Sequence, residues 1–508
     1  MKNKKHVIVI GAGLSGLSCG IYLLNNGFDV TLLEKNPSVG GLCTGWYRQG
    51  RYIDGCIHWL TGTKENDSCY HIWQDLGAFS SQEDLVYLDT WGDFIYEGKT
   101  ISFYRDYEKA EQQWLEVAPE DKKEIKKFFR MVRAFTKVSL PMHKPTSMLS
   151  LGEMMKVAWM IIKHPSFLTT MLVNTDKYAL RFKNPTLRFA MKNAQPGYGN
   201  LFSLLFSYAT IANNSGAVPI GGSKAFVERI KNRFLSLNGR LIVNANVQTI
   251  NTHNGFASGV TLSTGQTIKG DYVVSTTEPN YTLDVLLNKQ YKVPAIQKRK
   301  NDYRKYPTIS SLMVTYEIAD LGDLPTIVNF PVEPLIVGNQ KVDFIDIRNF
   351  SYDAQYYVHN NKTTCNTLFH QFDEDYIYWK QLSKDKKAYQ KEKERIAREL
   401  VERIETQFPQ YKGKITILDV FTPVTLERYT NAMRGAYMSQ FTSSQPRLSS
   451  SGIIPHLHNV YLASQWLESP GGLPFAVASG KWTAIRICRQ EGIKFNYKKS
   501  SLYKKATI

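Results

Sequence analysis

A short apolar run, Val7-Ile8-Val9-Ile10, leads directly into Gly11-Ala12-Gly13-Leu14-Ser15-Gly16, and this junction restricts the chain to few folds. All four residues of the run are β-branched, as suits a strand buried on both faces. The G-x-G-x-x-G turn opens an apolar segment through Ile21, Leu23 and Leu24 that reads as a helix, and Gly27 stops it. A second buried strand, Val30-Thr31-Leu32-Leu33, ends on the acid Glu34. Strand, turn, helix, strand and acid stand in the order of a βαβ dinucleotide fingerprint, with the acid about 20 residues beyond the turn. In such a unit Gly11 permits the tight turn, Gly13 lets backbone approach a pyrophosphate, and Gly16 packs helix on strand. Ala12, Leu14 and Ser15 complete a loop whose N–H groups, with the helix dipole, receive phosphate charge. Glu34 can accept hydrogen bonds from a ribose 2′-hydroxyl and disfavours a 2′-phosphate, so NADP is not expected there.

With 508 residues the chain has room for two or three domains and a large core. Lys and Arg number 63 against 45 Asp and Glu, a net charge of +18, which suits an anionic partner such as membrane lipid, nucleic acid or an acidic metabolite. The run before Gly11 is too short for a secretion signal. Cys19, Cys43, Cys56, Cys69, Cys365 and Cys488 form no C-x-x-C pair and no zinc-spaced cluster, and read as reduced cytoplasmic thiols. No uncharged apolar run approaches the ~20 residues that span a bilayer.

Beyond Glu34 come Lys35-Asn36-Pro37-Ser38-Val39-Gly40-Gly41-Leu42. The Gly40-Gly41 pair adds a second stretch of bare backbone near the pyrophosphate, and here the chain resembles the flavoproteins with two dinucleotide-binding domains, which hold FAD. Leu42 stands where many of these carry Arg. That departure points away from amine oxidases, towards the phytoene desaturase, carotenoid isomerase and retinol saturase group. Tyr52-Ile53-Asp54-Gly55-Cys56-Ile57-His58 resembles the segment that runs beside the flavin ring in retinol saturase-like proteins.

Residues 66–215 read as a mostly helical cap. Lys122, Lys126 and Arg130 give one helix a basic face, with Phe128, Phe129, Met131 and Val132 as apolar surface. Residues 149–173 are rich in Met, Leu, Ile and Trp159 but carry Glu153, Lys156 and Lys163, which suits a helix lying in a membrane interface. Val218-Pro219-Ile220-Gly221-Gly222-Ser223 opens a helix over 225–237, followed by strands and turns over 240–275, with Val243, Ala245 and Val247 alternating as one strand. In the resembled group the backbone at Val247 lies against the FAD adenine. Residues 281–439 read as a substrate domain with a long helix over 386–407. A strand over 460–466 leads to Ser469-Pro470-Gly471-Gly472-Leu473-Pro474, and a helix over 475–487 follows. The resemblance implies that Gly471, Gly472 and Leu473 meet the flavin, with the helix dipole favouring negative charge on it. Residues 493–508 read as a basic, flexible tail.

The expected fold is α/β: a two-dinucleotide-binding-domain, Rossmann-type FAD flavoprotein, amine oxidase/phytoene desaturase-like, with a discontinuous mixed α+β substrate domain. The FAD-binding domain would comprise 1–65, 216–280 and 440–492. The resemblance implies a cytoplasmic, peripherally membrane-associated oxidoreductase acting on a long polyene or unsaturated lipid, as saturase, desaturase or cis–trans isomerase. No metal site and no nucleic-acid partner are expected. His58 is the first candidate for a polar group at the ring, as proton donor or hydrogen-bond partner. Glu468 is a second candidate, and Arg428 and Arg434 could be structural or meet an acidic head group. Two alternatives are a prenyl-lipid carrier of the GDP-dissociation-inhibitor type, disfavoured by the intact glycines, and an amine oxidase-like enzyme on small polar substrates, disfavoured by Leu42.

Overall fold

The computed structural model describes residues 4–138, 142–145, 148–163, 166–195, 199–440 and 449–496. Most of the expected basic tail, from 497 onward, lies outside them. The opening strand His6–Ile10 is the centre of a five-stranded, all-parallel sheet. On one side it pairs with Asp29–Leu33 and then Arg240–Ile242; on the other with Tyr272–Ser275 and then Val460–Leu462. Five strands from three distant stretches of sequence therefore make one sheet, and both its faces are buried by separate apolar clusters. Gly16 is held to glycine by close approach: a Cβ there would stand 2.0 Å from the Gly11 carbonyl oxygen.

The opening helix Leu14–Asn25 and the closing helix Leu473–Gln490 pack along each other. Ser15 and Ser18 donate their hydroxyls to the Ala476 and Val477 carbonyls at 2.9 and 2.7 Å. A Cβ on Gly480 would meet the Ser15 carbonyl oxygen at 2.3 Å, so the contact is backbone to backbone. The two ends of the chain are thereby fixed side by side.

A second sheet runs in the order Ile415–Phe421, Ser310–Ala319, Lys362–Gln371, Gln340–Asn349, Ile327–Val337, Thr90–Tyr96, Lys99–Tyr104. Its neighbours are antiparallel except for the parallel pair Ile327–Val337 with Thr90–Tyr96. The long helix Lys386–Gln407 buries Ile396, Leu400 and Ile404 against one face, where Ile345 and Ile347 point. Alternation sends Asp346 and Arg348 to the other face.

Three local expectations are corrected. The cap region contributes the hairpin Thr90–Tyr96 and Lys99–Tyr104 to the second sheet; its turn, Glu97-Gly98, has φ of 49° and 72°. Residues 243–246 are not strand, because Asn244 adopts φ 54° and breaks the run before Val247–His253. In the basic helix Lys122–Phe135, Phe128, Phe129 and Val132 are fully buried in the cap core, leaving only its charged face outside.

Candidate functional site

One cavity of about 1220 Å³ extends from the turns of the parallel sheet to the face of the second sheet opposite the long helix. Its first part lies between two helix starts. The helix Leu14–Asn25 begins at Gly13 and the helix Leu473–Gln490 begins at Gly472, and neither has a side-chain cap. The first-turn N–H groups of two helices, with their positive dipole ends, therefore face one space. Gly472 reaches φ 94° there, a conformation natural to glycine, and its N–H donates to Gln465 Oε1 at 2.8 Å. Gly11, Gly13, Leu14, Ser15, Glu34, Lys35, Gly40, Gly41, Leu42, His58, Val247, Gly471, Gly472 and Leu473 all line this cavity.

Two cofactor candidates do not. Ala12 is fully buried, with its N–H donated to Glu34 Oε2 at 2.9 Å, and Gly16 is packed under Gly11. The buried Glu34 carboxylate also accepts at Oε1 from the N–H and the side-chain amide of Asn36, each at 2.9 Å. Oε1 is thus doubly occupied, whereas Oε2 keeps one lone pair for a ribose hydroxyl. Lys35 lines the cavity, but its ammonium is held by Asn431 Oδ1 at 2.7 Å and the Arg428 carbonyl at 3.0 Å. It ties the segment 428–431 to the end of the strand Asp29–Leu33. Two uncapped helix starts and an acid with a lone pair to spare fit the pyrophosphate and ribose of a dinucleotide.

The cavity then widens into a chamber walled by Trp59, Trp91, Phe94, Phe202 and Phe206. Leu168 and Leu172 line it and are 54% and 77% exposed, so it approaches solvent beside the helix Ser166–Met171. The helix that precedes it in sequence, Leu151–Lys163, exposes Leu151, Met155, Trp159 and Ile162. No helix among the described residues is long and apolar enough to cross a membrane.

His58 faces the chamber. Burial, reinforced by the charge of Arg348 and by His370, holds its imidazole well below the usual range. That disfavours the imidazolium form and favours the neutral ring as a hydrogen-bonding group. Glu468 is corrected outright: it is buried, does not line the cavity, and accepts from Ser449 Oγ at 2.9 Å. Arg434 pairs with Asp373, and neither Arg434 nor Arg428 lines the cavity.

Sequence reasoning missed the polar floor of the chamber. Asp346 and Arg348, His370 on the neighbouring strand, and Tyr437 all line it. His370 Nδ1 and Tyr437 Oη are 3.0 Å apart, and Gln465 Nε2 donates to the Tyr437 carbonyl at 3.0 Å. A hydrogen-bonded path thus joins the closing glycine turn to the second sheet. The alternation Asp343-Phe344-Ile345-Asp346-Ile347-Arg348 was the available signal, but it reads equally as a solvated sheet face.

A profile of the family described as "Flavin containing amine oxidoreductase" matches residues 14–488. The chain is 25% identical over 501 residues to a phytoene desaturase (lycopene-forming) from Paracoccus sp. (strain N81106 / MBIC 01143), covering 94% of this chain and 96% of that protein. It is 24% identical over 301 residues to a 4,4'-diaponeurosporene oxygenase of Staphylococcus aureus (strain Mu50 / ATCC 700699), covering 56% of this chain and 59% of the other. Its fold is similar to that of an oxidoreductase from Methanosarcina mazei, with TM-score 0.59 and 14% identity over 95% of this chain and 100% of the other.

Proposed function

The chain belongs to the flavin-containing amine oxidoreductase family and takes FAD as its cofactor, and on that footing we propose that it acts on carbon–carbon bonds of a long polyene or unsaturated lipid. The reaction is saturation, desaturation or cis–trans isomerisation. One observation carries this reading: the space between the two helix starts is continuous with a chamber walled by aromatic and aliphatic side chains. The phytoene desaturase relative matches along nearly its whole length, which supports a polyene as substrate.

Bound FAD supplies transfer of hydrogen to or from carbon. The amides of Gly13, Leu14, Ser15, Gly41 and Leu42 would hold its pyrophosphate, while Gly11 and Gly40, whose own N–H groups donate to the Leu33 and Ala12 carbonyls at 2.7 and 2.9 Å, shape the two turns. Glu34 would take a ribose hydroxyl, Val247 would flank the adenine, and Gly471, Gly472 and Leu473 would present the closing helix to the redox end. Trp59, Trp91, Phe94 and Phe206 exclude water and hold an extended chain in line, which removes much of the entropic barrier at an unactivated double bond. His58, being neutral, acts as a hydrogen-bonding group. The exposed Leu151, Met155, Trp159 and Ile162, with Lys156 and Lys163 among them, rest the protein on a membrane surface from which the lipid enters beside Leu168 and Leu172. Lipid extracted from the purified protein and weighed by mass spectrometry should be long-chain and unsaturated. Recovery of no such lipid, together with hydrogen peroxide release on small amines, would overturn the reading.

A further inference from the structure

The chamber floor carries a cation with no carboxylate in contact with it among the described residues. Arg348 is 5% exposed and faces the cavity, while its strand neighbour Ile347 turns to the core under the helix Lys386–Gln407. Its Nη1 donates to the His58 carbonyl at 2.8 Å. Among the described residues it forms no ion pair with a carboxylate. Asp346, two positions earlier on the same face, and Asp54 act on it only at a distance. A buried, unpaired guanidinium is strongly disfavoured unless something else meets its donors.

The surroundings offer donors as well, beside the Asp346 carboxylate. His58 and His370 are both held neutral by burial, and the His58 ring has no hydrogen-bond partner among the described residues. Ser311 and Asn329 line the cavity from other strands of the same sheet. A planar guanidinium fork beside a neutral imidazole matches an oxygen acceptor. A pure hydrocarbon pressed against this floor would leave these groups buried and unsatisfied.

We propose that Arg348, with His58, His370 and Asp346 around it, recognises an oxygen on the substrate, so that the substrate is an unsaturated lipid bearing a carboxylate, carbonyl or hydroxyl rather than a hydrocarbon. This rests on the chamber being the site of an unsaturated lipid. The aromatic walls take the chain, and the floor fixes its register by gripping the polar group.

The test titrates the flavin-loaded protein with arachidonic acid, arachidonyl alcohol and the hydrocarbon of the same chain and double bonds, following quenching of tryptophan fluorescence from Trp59 and Trp91. The acid or the alcohol should bind at least about tenfold more tightly than the hydrocarbon, as a charge-assisted hydrogen bond warrants. Preference for the acid marks a carboxylate, and preference for the alcohol a hydroxyl. Arg348→Met should shrink the discrimination to about twofold or less with hydrocarbon binding retained, and Arg348→Lys should keep part of it. Bound flavin and thermal unfolding show whether each variant is folded; should Arg348→Met not fold, the wild-type comparison decides. A hydrocarbon bound as tightly as both oxygenated probes, or full discrimination in Arg348→Met, overturns the inference and leaves the lipid reading standing. Binding of none of the three removes both.

Discussion

Glu34 ties together three N–H donors and, on the proposed reading, takes a ribose hydroxyl of the cofactor. Glu34→Ala would leave the Ala12 and Asn36 amides without their acceptor, at about 1–3 kcal/mol for each buried donor. The flavin-to-protein ratio of the purified variant should fall well below that of wild type, and an unchanged ratio would contradict the assigned role. The chamber histidines set a pH dependence. His370, lowered from 6.5 to about 4 by burial, and His58, lowered in the same direction, bind fewer protons folded than unfolded. Their contribution is therefore present above the unfolded value and is lost as pH falls from it towards the folded one. Asp346, raised by burial from 3.8 to about 6, works the other way, regaining stability on acidification. Among these chamber groups two oppose one, so their joint contribution to stability should fall between about pH 7 and about pH 5, and the unfolding temperature of His370→Gln should fall less than that of wild type over that range. Glu34 and the glycines were legible in the sequence because a turn against phosphate admits few residue types. Arg348 was not, because alternation along a strand says which residues share a face, never whether that face bounds water or a cavity.

The account depends on two helices at opposite ends of the chain. Gly480→Val would drive a side chain into the Ser15 carbonyl, 2.3 Å from where its Cβ must go, and should destabilise by about 3 kcal/mol or more while lowering flavin content. A variant that melts like wild type would show that the helices can separate without consequence. The helix Leu151–Lys163 gives a separate prediction. Met155→Glu with Trp159→Glu should reduce sedimentation with anionic liposomes without changing flavin content, because both side chains are exposed. The long helix Lys386–Gln407 matched its expected bounds, since its periodic apolar residues end just before Pro409. The hairpin Thr90–Tyr96 and Lys99–Tyr104 was missed inside a region dominated by helices. Its signal was local, an Asp93-Phe94-Ile95-Tyr96 strand closed by Glu97-Gly98, and its sheet partner Ile327–Val337 lies far away in sequence.

In the whole molecule the parallel sheet positions the turns, the second sheet supplies a floor, and the cap closes an apolar chamber between them. The order of the glycine motifs made the cofactor end readable from sequence. The chamber was not readable, because its walls come from the cap, two sheets and the closing turn, each an ordinary apolar stretch taken alone. The central claim is that this continuous space brings FAD and an unsaturated lipid together. The most direct measurement incubates the flavin-loaded protein, with and without a chemical reductant, with unsaturated lipids and follows them by liquid chromatography and mass spectrometry. The account predicts a lipid changed by one pair of hydrogens, or shifted in retention at unchanged mass, in proportion to the flavin bound. Lipids recovered unchanged under both conditions, from protein fully loaded with flavin, would contradict it.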